Sequence, residues 1–303
     1  VKELVIISGK GGTGKTSLTA SFAALAGNMV LADCDVDAAD LHLLLAPDIQ
    51  YRADFISGCE AIIREADCRG CGRCAELCRF DAIASVRRAS NGVRVHRVDP
   101  IACEGCGVCV WNCPHQAIDF PDCHCGEWFI SATRHGPMVH ARLAPGSDNS
   151  GKLVSLVREE ARKLAKQQNR EWVLVDGPPG TGCPVIAAVT GAARVLVVTE
   201  PTVAGAHDLA RILQLANHFK IPATVCVNKW DLHPDMTEQM EAAAREAGAT
   251  PIGRVRYDSA ITAAQRRGLS AIEAGAGPLA GDIHAVWRNW QAVAAGNSGS
   301  ANP

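Results

Sequence analysis

The chain has no apolar run long enough to span a bilayer, and no secretory leader is expected ahead of its first strand. It has no excess of either charge: the formal net charge is −2, which leaves no electrostatic footprint for nucleic acid or an anionic membrane. The last helical stretch, around Ile283 to Val293, carries few cations, so the basic amphipathic helix that serves as a membrane anchor is also missing. These absences predict a cytoplasmic protein with no membrane anchor and no nucleic-acid partner. The small, polar tail at 297–303 is expected to be disordered.

Cysteine, by contrast, is abundant, with 14 in 303 residues. All but Cys34, Cys183 and Cys226 lie between Cys59 and Cys125. A disulfide scaffold would spread bridges through a small secreted chain. Local crowding in a large chain with a cytosolic-looking start points instead to metal or cluster ligation.

Outside that segment the pattern is α/β. Buried strands are predicted at Leu4–Ile7, Met29–Ala32, Trp172–Val175, Val195–Thr199, Thr224–Asn228 and Pro251–Arg256, with helices between them. Helices are expected at Lys15–Gly27, Ala38–Leu45 and Leu153–Gln168, and a strand pair at Trp128–Thr133 and Pro137–Leu143. Strands alternating with helices predict a mostly parallel sheet covered on both faces. The domain plan is a first part at 1–58, an inserted module at 59–125 and a second part at 126–296.

Gly9-Lys10-Gly11-Gly12-Thr13-Gly14-Lys15-Thr16-Ser17 follows a strand and opens a helix, the setting a phosphate loop requires. The glycines let backbone N–H groups turn toward phosphates, and the helix N-terminus adds positive dipole. Lys15 is placed to reach the β- and γ-phosphates of ATP and the Thr16 hydroxyl to ligate Mg²⁺. Asp176 ends an apolar strand and fits the acid that holds Mg²⁺ through water. Gly177–Gly180 would then sense the γ-phosphate.

The cysteine segment repeats itself. Cys68, Cys71, Cys74 and Cys78 have the spacing of Cys103, Cys106, Cys109 and Cys113, and both runs are trailed by Ala-Ile. Each half reads Cys-x2-Cys-x2-Cys-x3-Cys, the run of bacterial two-cluster ferredoxins, in which the fourth cysteine serves the other cluster. One [4Fe–4S] cluster would use Cys68, Cys71, Cys74 and Cys113. The second would use Cys103, Cys106, Cys109 and Cys78. Pro114 follows the second run, whereas Arg79 stands where the first run should have proline. Paired structural zinc sites would separate two Cys pairs by a longer loop. Cys123-His124-Cys125 is either a labile metal or transferable-cluster site or a tight turn. Cys34, Cys59 and Cys226 read as packing or incidental thiols.

Lys10, five positions before Lys15, makes the loop resemble the deviant Walker A of the MinD/ParA/Mrp and nitrogenase-iron-protein superfamily of P-loop ATPases. The resemblance covers the chain outside the cysteine segment. It implies that Lys10 crosses a dimer interface to the partner's nucleotide, that Asp35 positions the attacking water and that Asp33 supports the magnesium shell. Asp37 reads as a helix cap. The same resemblance implies nucleotide-base contacts from Asn228 and Asp231 and from Arg256 and Tyr257, with adenine as the base. Cys183 is either a bridging-cluster ligand, as at the matching offset in the nitrogenase iron protein, or an inert thiol at a helix start. The whole chain is similar to MinD-superfamily ATPases with an inserted ferredoxin domain, including the stretches Arg134–His140 and Asn149–Val154. Lys152 is a phosphate- or switch-contacting residue or a solvated lysine.

The resemblance implies a Mg²⁺-dependent ATPase that couples nucleotide state to two [4Fe–4S] clusters in iron–sulfur or metal-cofactor biogenesis. Its partners would be a second copy or a paralogue, joined in a nucleotide-dependent dimer, and an iron–sulfur or metal-cofactor client protein. ATP-gated electron transfer is the alternative. A positioning ATPase with redox-sensing clusters stands third.

Overall fold

The computed structural model describes residues 1–88, 92–147 and 149–296, and the expected tail at 297–303 lies outside them. The chain forms two units. One comprises residues 1–53, 128–142 and 150 onward, and the other residues 54–127 and 143–149.

The first unit opens with β1 (Lys2–Ser8), which is buried from Glu3 to Ser8, as a strand covered on both faces must be. There follow α1 (Lys15–Ala26), β2 (Met29–Asp33), α2 (Leu41–Leu45) and β3 (Asp48–Cys59), the last of which leads into the second unit. The second unit holds β4 (Ile62–Ile63), α3 (Arg73–Leu77), β5 (Ile83–Arg87), β6 (Arg94–Val98), α4 (Val108–Trp111) and β7 (Ile118–Asp119). The chain returns through β8 (Asp122–Thr133) and β9 (Gly136–Leu143). It continues with α5 (Ser150–Gln167), β10 (Trp172–Pro179), α6 (Cys183–Val189), β11 (Arg194–Thr199), α7 (Val203–His218), β12 (Ala223–Asn228), α8 (Pro234–Glu246), β13 (Thr250–Val255), α9 (Ala260–Arg266) and α10 (Gly277–Gly296).

The sheet order is β13-β12-β11-β1-β10-β2-β9-β8-β3. The ladders from β13 through to β9 are all parallel. Leu4 and Ile6 of β1 pack with Phe22 of α1 and Trp287 and Trp290 of α10 in one core. Phe22 and Trp287 meet edge-on at 4.9 Å. Val5 and Ile7, equally buried, alternate to the opposite face of the strand. The expected α/β sheet is therefore present, and every predicted strand falls inside an observed one except Pro251–Arg256, which overruns β13 by one residue.

Two local expectations change. The leucine-rich helix begins at Leu41 rather than Ala38, because the Asp33 carboxylate accepts the Leu41 N–H at 3.3 Å and the Ala38 N–H turns back to the Asp35 carbonyl. Asp37 therefore lies outside the helix it was expected to cap. Strand β3 was not foreseen. It lies at the sheet edge with most of its side chains exposed, and its period-2 signal was overlooked: Ile49, Tyr51, Ala53 and Phe55 alternate with Gln50, Arg52 and Asp54.

The Arg134–His140 stretch has a structural account. Arg134 sits at the turn between β8 and β9. Its Nη2 donates to the carbonyls of Leu44 at 2.6 Å and Gly268 at 2.8 Å, and its guanidinium pairs with Glu273. His140 stacks on Phe129 with ring centroids 4.9 Å apart and bonds Ser131 at 2.8 Å. Burial lowers its pKa to about 4, which keeps the ring neutral.

The Glu273 carboxyl is pulled down to about 2: burial opposes ionisation, but hydrogen bonds from Arg134 and Ser270 outweigh it. A depressed carboxylate contributes stability above its ordinary value of 4.5 that is lost as pH falls toward 2. Arg134→Met is expected to cost about 2 kcal/mol at neutral pH. It should also flatten the acid limb between those two values, as read by urea unfolding against pH.

In the second unit, β4 pairs with β7 and β5 with β6, both antiparallel. The single-turn helices α3 and α4 follow Gly72 and Gly107 in the two cysteine runs. The apolar core is small, with Ala61, Cys109 and Ile118 buried and Cys74, Cys103 and Cys113 packed around them. Among the described residues, no helix of either unit is long and apolar enough to cross a membrane.

Candidate nucleotide site and cysteine cradles

The phosphate loop joins the end of β1 to the start of α1. Gly14 takes φ +90°, and a Cβ there would lie 2.3 Å from Asn228 Nδ2, so only glycine fits. Asn228, at the end of β12, donates from that nitrogen to the Thr13 carbonyl at 2.7 Å. It thus braces the loop from beneath.

Lys15 is 5% exposed and lies among carboxylates. Its Nζ is 2.9 Å from Asp176 Oδ1 and 3.5 Å from Asp35. Burial works against the ammonium, but Asp176 and Asp35 overcome it and hold its pKa above the ordinary value. Asp176 is fully buried and also accepts from the hydroxyls of Thr16 at 2.8 Å and Thr19 at 2.9 Å. Asp33 accepts the backbone N–H groups of Asp35 and Leu41, which fixes the turn carrying Asp35. Burial, with Asp176 close by, raises the Asp33 carboxyl well above the usual range. Burial pushes Asp35 up to about 6 despite Lys15. Three carboxyl groups crowd one ammonium here, and a divalent cation among them would favour the ionised forms that burial and crowding oppose. Thr16, Asp176 and Asp33 are the groups available to hold Mg²⁺. Thr13 Oγ1 is buried without a hydrogen-bond partner, as suits a loop built around a ligand.

Lys10 is engaged within its own chain. Its Nζ is 2.6 Å from Glu200 Oε1 and 3.5 Å from Thr202 Oγ1. Lys229 holds the other oxygen of Glu200 at 2.8 Å and donates to the Gly12 carbonyl at 3.0 Å. Burial would raise the Glu200 carboxyl, but the two lysines draw it below its ordinary value. Sequence reasoning missed Glu200 and Lys229. The available signal was position, since both follow parallel strands whose carboxyl ends gather at one sheet edge.

The remaining nucleotide-site candidates are held by partners within the chain. Asp231 accepts the Tyr257 N–H at 2.7 Å and so sets the loop on which Tyr257 stands 56% exposed. Arg256 forms a two-pronged pair with Asp282 at 2.7 and 2.9 Å, tying β13 to α10. Ser17 accepts from Gln265 of α9 at 2.7 Å. Lys152 stands exposed in the first turn of α5.

In the second unit, Cys68, Cys71, Cys74 and Cys113 line one cavity. Cys78, Cys103, Cys106 and Cys109 line another. Each cavity thus takes three cysteines from one run and the last cysteine of the other. Gly70 and Gly105, at matching places in the two runs, press against backbone: a Cβ would meet the Arg94 carbonyl at 2.4 Å and the Cys59 carbonyl at 2.3 Å. Among the described residues, no three side chains converge on a single ion.

Cys125 is buried with its Sγ 3.0 Å from the Ser57 carbonyl. Burial and the neighbouring Cys125 push the Cys123 thiol up to about 11. Cys34 and Cys226 are fully buried, and burial drives the latter up to about 12; both pack, as expected. Cys59 is only partly buried, at the end of β3. Cys183 is exposed as the first residue of α6, which Gly182 caps.

Comparison with known proteins accounts for the first of these sites. The uncharacterized Methanocaldococcus jannaschii protein MJ0578 is 33% identical over 76% of this chain and 78% of its own length. A second protein of that organism, MJ0579, is 27% identical over 77% and 82%. Among solved structures, the cell division ATPase MinD of Pyrococcus furiosus superposes with a TM-score of 0.57 at 17% identity, covering 96% of this chain and 99% of that one. McdA of Cyanothece, in its apo form, gives 0.56 at 15%, covering 95% and 99%. The model of the CobQ/CobB/MinD/ParA nucleotide binding domain matches residues 4–271. On that match, the chain belongs to the CobQ/CobB/MinD/ParA nucleotide-binding family and has its P-loop α/β fold.

Proposed function

We propose that the chain is a Mg²⁺-dependent ATPase whose second unit is a ferredoxin-like domain, spanning roughly the expected 59–125, that holds two [4Fe–4S] clusters. Nucleotide state and clusters are coupled, in the service of iron–sulfur or metal-cofactor biogenesis. The observation that carries the cluster half of this reading is the sorting of cysteines: the two cavities hold the two cross-connected sets that a two-cluster ferredoxin run demands. The small core of the second unit supports it, because a unit of this size needs a staple beyond its apolar contacts. The clusters supply electron storage or transferable iron and sulfide. The protein supplies the thiolates that hold them.

For the ATPase half, Lys15 and the loop amides bind phosphates, Thr16 and Asp176 hold Mg²⁺, and Asp35 orients water. Lys10 acts on the nucleotide of a second copy or a paralogue, so its bond to Glu200 must break on dimerisation. Lys10→Ala is expected to keep ATP affinity, measured by calorimetry, while hydrolysis falls about 10³-fold. Loss of binding would contradict the role across the interface.

Electron transfer is the second reading, favoured by the complete four-cysteine set at each cavity. Anaerobic purification, an iron and sulfide count, and ATPase rates with clusters oxidised and reduced separate the two. Hydrolysis indifferent to redox state, with iron beyond about eight per chain open to chelators, supports a carrier that hands iron or clusters to a client. About eight tightly held irons with redox-gated hydrolysis supports electron transfer.

A further inference from the structure

Beyond their cysteines the two cavities are lined differently: the first has Arg69, His96 and His115, of which only His96 is buried, and the second has Phe80, Val98 and Glu104. Strand β6 passes both, with His96 lining the cavity of Cys68, Cys71, Cys74 and Cys113, and Val98 lining the other. The two residues are two apart and therefore point to the same face of the strand. Arg94, two residues before His96, receives Gly70 of the first cysteine run against its carbonyl, so this face lies over the first loop. His96 is 4% exposed, and its Nδ1 is buried with no hydrogen-bond partner. A buried imidazole nitrogen left unpaired is costly, and native proteins rarely leave one so. The second cavity offers Phe80, Ile83 and Val98 around its thiols instead, and none of these has a side-chain donor.

We propose that His96 donates a ring N–H hydrogen bond to a sulfur of the first cluster, either a sulfide or a cysteine thiolate, and thereby places that cluster's reduction potential above the second's. The inference rests on the two-cluster reading given above. Hydrogen bonds to cluster sulfurs stabilise the more negative, reduced form and are among the determinants of potential. One electron from a donor such as dithionite then reduces the first cluster and leaves the second oxidised. No bond is made or broken, and the ring keeps its proton. His96 is a positioning and tuning residue that makes the electron's resting place unequal between two sites with matching cysteine sets.

The test uses the full chain with clusters reconstituted anaerobically and a redox titration followed by electron paramagnetic resonance. The wild type is expected to show two separate one-electron waves. In His96→Leu the more positive wave should move negative by about tenfold in the electron-sharing equilibrium, or about 59 mV. The other wave should stay in place, with iron and sulfide content unchanged. His96→Asn, which keeps an N–H donor, should restore part of the shift.

His115, exposed, lines the same cavity, so in protein carrying ¹⁵N-labelled histidine the half-reduced state should show nitrogen modulation in spin-echo spectra both in the wild type and in His115→Gln. Absence of histidine coupling in either half-reduced protein overturns the proposal, as do waves unmoved or moved equally in His96→Leu. A wild type that takes up no clusters overturns instead the reading on which it rests.

Discussion

Lys15→Ala is expected to lower ATP turnover by about 10³-fold or more, since it removes the one buried cation placed for the transferred phosphate. The same change should destabilise the first unit. Asp176 is fully buried, and without Lys15 it keeps only the Thr16 and Thr19 hydroxyls against a full negative charge. Breaking a buried pair from one side costs about 3–5 kcal/mol. Adding Asp176→Asn should return much of that stability, because the remaining group is then neutral, and return none of the activity. Urea unfolding and a phosphate-release assay on the two variants check both halves. Equal instability in the single and double variants would show that Lys15 is held by packing rather than by charge.

The second large effect concerns the cysteines. Cys113→Ser is expected to drop iron from about eight to about four per chain. The informative experiment pairs it with a second lesion. Cys71 shares a cavity with Cys113, so Cys71→Ser with Cys113→Ser should lose no more iron than either alone. Cys106 lines the other cavity, so Cys106→Ser with Cys113→Ser should lose nearly all of it. If ligands instead followed sequence order, Cys106 and Cys113 would share a site and the two outcomes would be exchanged. Iron and sulfide assays after anaerobic reconstitution decide between them.

The sequence made the nucleotide end legible because its chemistry depends on backbone order: a strand, a glycine-rich turn and a helix cannot be rearranged without losing the loop. The parallel strands were readable for the same reason that they are buried, since continuous apolar runs such as Leu4–Ile7 leave no other place for them. Edge strand β3 offered no such run. Pairings across the fold were also hidden. Nothing near Lys10 in the chain points to Glu200, and nothing near Arg256 points to Asp282. Two residues seen as base contacts turned out to have structural partners, Asn228 under the phosphate loop and Arg256 against α10. The cysteine runs let spacing alone sort eight cysteines into two sets, and the same two sets line the two cavities. The contrast between His96 and Val98 did not show, because it depends on which cavity each side chain of β6 enters.

The strand order has a consequence for how the molecule is made. β10 lies between β1 and β2, yet it begins at Trp172, long after β2 ends at Asp33. At roughly 5–20 residues per second, a ribosome needs on the order of ten seconds to cross that gap. Until then β1 and β2 lack the strand that joins them, and Lys15 lacks Asp176. Both cysteine cradles are complete once Cys113 has emerged. The ligand set of the clusters proposed above is therefore synthesised before the nucleotide site can close.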